Sequence, residues 1–235
     1  MSFYIAAKSA RSARVIKAAL FDLDDTLYPE RSYVESGFRV VSDFLAKRFG
    51  LDRGALAAAM EEALRAEGRG KIFDRVLQQN NLDGQISVAK LVSLYRGHVP
   101  VISLFPDVIE SLAQIRRAGL KLGLVTDGAL CVQQNKVASL GLDAYVDAVI
   151  YCDSFGRECW KPHPAGFRRA AELLEVEPES CAFIGNDPAK DFPAPLSLGM
   201  LTIHLRRANS YVNGCFSAHL HVSGMDAVVG VLGVL

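Results

Sequence analysis

Residues 15–30 read Val-Ile-Lys-Ala-Ala-Leu-Phe-Asp-Leu-Asp-Asp-Thr-Leu-Tyr-Pro-Glu. Val15 to Phe21 is a short apolar run that enters an acidic turn, which reads as a buried strand. In extended backbone, residues two apart point the same way, so Asp22 and Asp24 face one site at the carboxyl end of that strand. Open α/β sheets bind their ligands there. Two close carboxylates repel each other and raise one pKa unless a cation neutralises them. A hard, oxygen-seeking ion such as Mg2+ suits the pair. Taken alone, Asp22, Asp24 and Asp25 are more commonly just a solvated acidic turn.

Downstream, the chain alternates. Asp107 to Ala118 places Val108, Ile109, Leu112 and Ile115 on one helical face and stops at Gly119. Lys121 to Thr126 reads as strand, Leu130 to Leu140 as helix closed by Gly141, Tyr145 to Tyr151 as strand and Pro164 to Leu174 as helix. Ser180 to Ile184 is strand, the Asp191 to Leu198 region a short helix, and Met200 to Leu205 strand. Strands that are apolar throughout are covered by helices on both faces. The pattern predicts a parallel sheet in a three-layer α/β fold.

Residues 30–100 break the rhythm with almost no strand signal. Ser32 and Glu35 have the spacing of a capping box, and Val34, Phe38, Val41 and Leu45 follow at helical intervals. Asp52 precedes a second helix with Leu56, Met60 and Ala63 aligned. Val88, Leu91, Val92 and Tyr95 suggest a further one. The expected organisation is an α/β core of 15–29 and 101–235, an all-helical insertion of 30–100, and an N-terminal tail of 1–14.

The whole chain has 235 residues, half of them apolar, with 26 basic and 26 acidic side chains that cancel. That balance argues against a broad nucleic-acid or membrane-surface role, and no apolar run reaches the roughly 18 residues of a membrane span. Residues 1–14 contain Lys8, Arg11 and Arg14 but no apolar stretch of a secretory signal, so a loose tail is the better reading. Cys131, Cys152, Cys159, Cys181 and Cys215 form no Cys-x-x-Cys pair, which suits reduced thiols in the cytoplasm.

Three further loops follow strands on the same sheet edge. They carry Thr126-Asp127-Gly128, then Trp160-Lys161-Pro162-His163-Pro164, then Gly185-Asn186-Asp187-Pro188 with Asp191 beyond. Together they supply a hydroxyl, a fixed ammonium and a second acidic cluster, the equipment for gripping a phosphoryl group and a metal. Asp22-x-Asp24-x-Thr26, Thr126, Lys161 and the Gly185–Asp191 segment, in that order, resemble the motifs of the haloacid dehalogenase superfamily. The helical insertion after the first motif is similar to that of its members with a helical cap. The resemblance covers about Val15 to His204 and implies a Rossmann-like core.

It also implies a Mg2+-dependent phosphatase acting on a small phosphorylated metabolite. Asp22 is then the nucleophile that forms an aspartyl-phosphate. Asp24 is general acid, then general base. Thr126 and Lys161 hold the phosphoryl oxygens, with the backbone at Asp127 and Gly128 beside them. The metal falls to Asp22, the Asp24 carbonyl and an acid of the fourth motif. Asn186 stands where that motif often has Asp, so Asp187 is the expected ligand, with Asp191 a second ligand or an outer partner. Asp127 replaces a frequent Asn and adds negative charge.

Within the superfamily a 2-haloacid dehalogenase, a phosphonate hydrolase and a sugar phosphomutase are alternatives. Asp24 speaks against the first, and the second needs a cap lysine, for which Lys47, Lys71 and Lys90 are available. A non-catalytic metal- or phosphate-binding module is the reading outside enzymes. Tyr28, Glu30, Arg31, Tyr33 and Arg39 open the insertion and are candidates for contacting substrate. His163, His204, His219, His221 and Trp160 read as structural, and Arg206 and Arg207 as a solvated edge. A homodimer through the cap is left open.

Overall fold

A computed structural model describes residues 15–207 and 218–233; the expected tail and Cys215 lie outside them. Six parallel strands form one sheet: β1 (Ala18–Phe21), β2 (Lys121–Thr126), β3 (Ala148–Tyr151), β4 (Cys181–Gly185), β5 (Leu201–Leu205) and β6 (Leu220–Val222). Between β1 and β2 come α1 (Glu30–Phe49), α2 (Arg53–Glu67), α3 (Ile72–Gln79), α4 (Val88–Gly97) and α5 (Val108–Arg117). α6 (Leu130–Leu140) joins β2 to β3, and α7 (Ala165–Leu173) joins β3 to β4. α8 (Pro188–Asp191) and α9 (Pro193–Ser197) join β4 to β5, and α10 (Met225–Val231) follows β6.

The strand order is β3-β2-β1-β4-β5-β6. β1 is therefore flanked by the second and fourth strands, with Leu20 opposite both Gly123 and Phe183. Successive strand residues point to opposite faces, and the packing obeys this. Ala19 and Phe21 join Val108, Leu112, Val137 and Val228 on one side of the sheet. Ala18 and Leu20 join Phe167, Ala170 and Phe192 on the other. Every residue of β1 is fully buried, which is why its sequence alternates nothing. The order also reverses direction at β1, so the crevice at the carboxyl edge opens beside it.

The helices α1 to α4 build an interior of their own. Val34, Phe38, Val41 and Leu45 pack with Leu56, Met60, Phe73, Val76 and Leu91. Asp52 caps α2 by accepting from the Ala55 N–H at 2.6 Å, and Ser87 does the same for α4 from Lys90. The expected capping box at Ser32 does not form. α1 begins three residues earlier, with Pro29 in the N-cap place, the Glu30 N–H goes to the Asp25 carboxylate at 2.8 Å, and the Ser32 hydroxyl donates back to the Pro29 carbonyl. The short helix expected near Asp191–Leu198 is two helices, because Pro193 has no N–H to continue α8. Among the described residues no helix is long and apolar enough to cross a membrane.

Candidate active site

The carboxyl ends of β1, β2 and β4 and the loop after β3 meet at one cavity of about 930 Å3. Asp22, Asp24, Asp127, Gly128, Lys161, Asn186, Asp187 and Asp191 all border it, and so do Glu30, Tyr33, Phe38, Arg69 and Tyr95 of the helical segment. Thr126, 1% exposed at the end of β2, is not among the lining residues. The four loop motifs thus converge.

Asp22 follows the last residue of β1, its backbone N–H bonded to the Ile184 carbonyl at 2.9 Å. One carboxylate oxygen accepts from Lys161 Nζ at 2.5 Å, the other from Thr26 Oγ1 at 3.0 Å. Lys161 Nζ also reaches Asp191 at 2.8 Å. Burial pushes the Asp22 carboxyl up, to about 7, with Asp191 and Asp24 adding to the rise against the pull of Lys161. Burial also opposes the charge on Lys161, but Asp191, Asp22 and Asp127 outweigh it, and the ammonium is held well above its ordinary range.

Asp24 has a different shell. Its Oδ1 accepts from Lys136 Nζ at 2.7 Å and from the Tyr28 hydroxyl, and its Oδ2 accepts from Gln133 Nε2 at 3.1 Å. Burial alone would raise this carboxyl. Lys136 first, then the hydrogen bonds from Lys136, Tyr28 and Gln133, bring it below the usual carboxylate range. Gln133 Nε2 also donates to Thr126 Oγ1 at 2.5 Å. Gly128, at φ +123°, makes the turn into α6 that delivers Gln133; a Cβ there would press on the Gln133 side chain.

The third aspartate of the first motif leaves the pair: Asp25 caps α1. Asp127 does not add a loose negative charge near the cavity, because its carboxylate accepts from the Lys161 backbone N–H at 3.0 and 3.1 Å. It braces one motif loop against another.

Asp191 is 1% exposed and fully engaged. Beyond Lys161, it accepts from the backbone N–H groups of Asn186 and Asp187 at 3.0 and 2.9 Å. Gly185 makes room for it, since a Cβ there would collide with the carboxylate. Asp187, the expected metal ligand, spends its oxygens on its own helix. One accepts from the Ala189 N–H at 3.0 Å and the other lies 3.3 Å from Lys190 Nζ. Asn186 faces inward instead, its Oδ1 3.2 Å from Thr26 Oγ1.

Among the described residues no three acidic, histidine or cysteine side chains surround a common metal position. What the site offers is Asp22 and Asn186 side-chain oxygens converging on Thr26, in a cavity lined by nine acidic and six basic side chains. The Asp22 carboxyl is raised by burial first, with Asp191 and Asp24 adding to the rise. An oxygen-only set with few carboxylates and excess negative charge fits a hard divalent ion that keeps waters and binds substrate phosphate.

Of the residues expected to touch substrate, Glu30 and Tyr33 border the cavity, while Tyr28 is buried against Asp24. Arg31 pairs outward with Glu35 and Glu61. Lys47, Lys71 and Lys90 are not among the cavity's lining residues. His163 and Trp160 hold their own loop, on Ala165 and Asp153, and His204 packs against His221. Arg207 is no solvated edge: it reaches Asp107 at 2.7 Å and the Thr26 carbonyl. Sequence reasoning missed Gln133 and Lys136. Their signal was two long polar residues on the stripe of α6 that also carries Val137 and Leu140.

Comparison with known proteins agrees with this geometry. The model of the haloacid dehalogenase-like hydrolase family matches residues 16–199. A glyceraldehyde 3-phosphate phosphatase of Methanopyrus kandleri is 32% identical over 200 residues, spanning 82% of this chain and 85% of that protein. A plasmid-borne phosphoglycolate phosphatase of Cupriavidus necator is 28% identical over 191 residues, 78% of each chain. The crystal structure of a HAD phosphatase from Thermococcus onnurineus matches with a TM-score of 0.63 at 26% identity, over 93% of this chain and 98% of that one. The match runs from the start of β1 past the end of α9 and takes in all four motif loops, so the chain belongs to the haloacid dehalogenase-like hydrolases.

Proposed function

We propose that the protein is a Mg2+-dependent phosphatase that hydrolyses a small phosphate monoester through an aspartyl-phosphate on Asp22. The observation that carries this reading is the pairing of two carboxylates at the tip of β1 in unlike surroundings. Asp22 is held by Lys161 and Thr26 at the cavity wall, and Asp24, two residues on, is held by Lys136, Gln133 and Tyr28. One carboxylate is placed as nucleophile and the other as proton carrier.

In the first half-reaction an Asp22 oxygen bonds to phosphorus as the bond from phosphorus to the leaving oxygen breaks. Asp24, which takes up a proton as the ester binds because Lys136, Tyr28 and Gln133 favour its carboxylate, gives that oxygen its proton. In the second, a water bonds to phosphorus and yields its proton to Asp24, and the bond from phosphorus to Asp22 breaks. Phosphate leaves, and Asp24 is protonated again for the next ester. Lys161, Thr126 and the backbone N–H groups at Asp127 and Gly128 hold the phosphoryl oxygens as charge shifts. Asp22, the Asp24 carbonyl and Asn186 would hold Mg2+, which offsets repulsion between the nucleophile and a phosphate dianion. Asn186 takes this role from Asp187, whose carboxylate is committed to Ala189 and Lys190.

The helical segment acts as a cap: it contributes Glu30, Tyr33, Arg69 and Tyr95 to the cavity wall and excludes bulk water over the reacting bond. Relatives named for glyceraldehyde 3-phosphate and phosphoglycolate support a short phosphorylated carbon chain as substrate. Asp24 speaks against dehalogenation.

The test is phosphate release with Mg2+ across phosphoglycolate, triose phosphates, sugar phosphates and nucleoside monophosphates. The wild type should turn over at least one of these, and Asp22→Asn none. An Asp22→Asn protein that keeps wild-type turnover would remove the mechanism.

A further inference from the structure

The proposed reaction uses Asp24 but leaves open what keeps that carboxyl group in place. Lys136 lies on the buried stripe of α6 with Gln133, Val137 and Leu140, and is 3% exposed. An ammonium in such a position is costly unless it is paired. Its Nζ is 2.7 Å from Asp24 Oδ1 and 4.6 Å from the centroid of the Tyr33 ring, a cation–π distance. It is distinct from Lys161, whose partners are Asp22 and Asp191.

The remaining holds on Asp24 are weaker guides to position. Tyr28 is four residues along the same loop, and its hydroxyl hydrogen bond links Asp24 to no other element. Gln133 divides its amide between Asp24 and Thr126. Gln133 thus links Asp24 to α6 and β2, whereas Lys136 links it to α6 through its own backbone and to α1 of the helical segment through Tyr33.

We propose that Lys136 is a positioning residue, which fixes the Asp24 carboxyl group where it can serve the leaving-group oxygen and couples that placement to Tyr33 of the helical segment. This rests on the phosphatase reading above. Misplacing a reacting group by about 1 Å can cost on the order of 100-fold in rate, so the ammonium, which also borders the cavity, matters through the carboxyl group it holds.

The signature lies in the leaving group. A 4-nitrophenolate departs with little need for a proton, whereas an alkoxide needs one, and general-acid help is worth roughly 100- to 10,000-fold. Lys136→Met is therefore assayed with Mg2+ on 4-nitrophenyl phosphate and on the alkyl phosphate that the screen above finds to be turned over fastest. Thermal unfolding is followed alongside. Relative to the aryl ester, kcat/KM for the alkyl ester should fall about 10- to 100-fold further, mostly in kcat. Lys136→Arg should return the ratio towards the wild type.

Lys136→Gln, which keeps a polar end in the same pocket, is read identically and carries the test if the Met variant does not fold. Equal losses on both esters, or a loss confined to KM, would overturn the role of Lys136 and leave the phosphatase reading intact. A wild type inactive on every ester would overturn both.

Discussion

Two interiors in this molecule are built from different materials. At the carboxyl edge of the sheet, ammonium groups lie inside the protein: the side chains of Lys161 and Lys136 are 3% and 4% exposed, each against a carboxylate. Within α1 to α4 the interior is apolar, and charges pair on the outside, as in Arg53 with Asp43 at 61% and 40% exposure. Water screens the second kind of pair and hardly reaches the first. The edge of the sheet thus keeps charges poised for chemistry, while the helical segment provides a wall whose outer face carries little of the stability.

The contrast can be broken most severely at Asp191. Asp191→Ala removes a partner of the buried Lys161 ammonium and orphans the N–H groups of Asn186 and Asp187. Loss of about 3–5 kcal/mol is expected in urea unfolding, as when a buried pair is left half-made. A loss under about 1 kcal/mol would mean that this pair behaves like a surface one.

Met60, fully buried among the helices, tests the apolar interior. Met60→Ala should cost about 2–4 kcal/mol by lost burial and the cavity left behind. Hydrolysis of a small aryl phosphate should survive in the fraction still folded. Activity lost ahead of structure would show that the two interiors are not separable.

Arg207 and Asp107 give an intermediate case, 11% and 33% exposed. Burial pushes the Asp107 carboxyl up, but hydrogen bonds from Arg207 and the Met225 N–H hold it below its ordinary 3.8. The stabilisation is therefore complete above pH 3.8 and disappears as the pH drops through the lower folded value. Asp107→Asn should cost about 1–2 kcal/mol at neutral pH and flatten the acid limb of the stability curve. An unchanged limb would remove Asp107 from that account.

Smallest of all, Arg53→Ala should change stability by less than about 0.5 kcal/mol, measured in the same denaturant series. A larger change would assign real weight to the outer face of the helical segment.

Much of this was legible beforehand, for physical reasons that differ by element. β2 has the bounds Lys121–Thr126 read from sequence, because an apolar run between Gly119 and Gly128 admits no other start or stop. β6 did not announce itself: it is three residues long, with Leu220 and His221 exposed at the sheet's edge. α3 was missed because Lys71 offers no side-chain cap, although Ile72, Phe73, Val76 and Leu77 share one face.

In the site, Asp22, Asp24 and Thr126 were legible because they lie at or just past strand ends, and Lys161 because its loop follows β3 on the same sheet edge. Gln133 and Lys136 could not be assigned to Asp24, since only the packing of α6 says which carboxylate they meet. Asp187 was expected as a metal ligand because other members of the superfamily carry the metal-binding Asp at that place; in the structure a local need also lays claim to its carboxylate. The first turn of α8 has open N–H groups, and Asp187 is the nearest acceptor.

The central claim is that phosphorus is transferred to Asp22. It is tested most directly by acid-quenching the wild-type protein during turnover and mapping the phosphoryl group by peptide mass spectrometry. The account predicts an acyl-phosphate on the peptide that carries Asp22, absent from Asp22→Asn. A phosphoryl group found on another side chain, or steady turnover with none on the protein at any quench time, would contradict it.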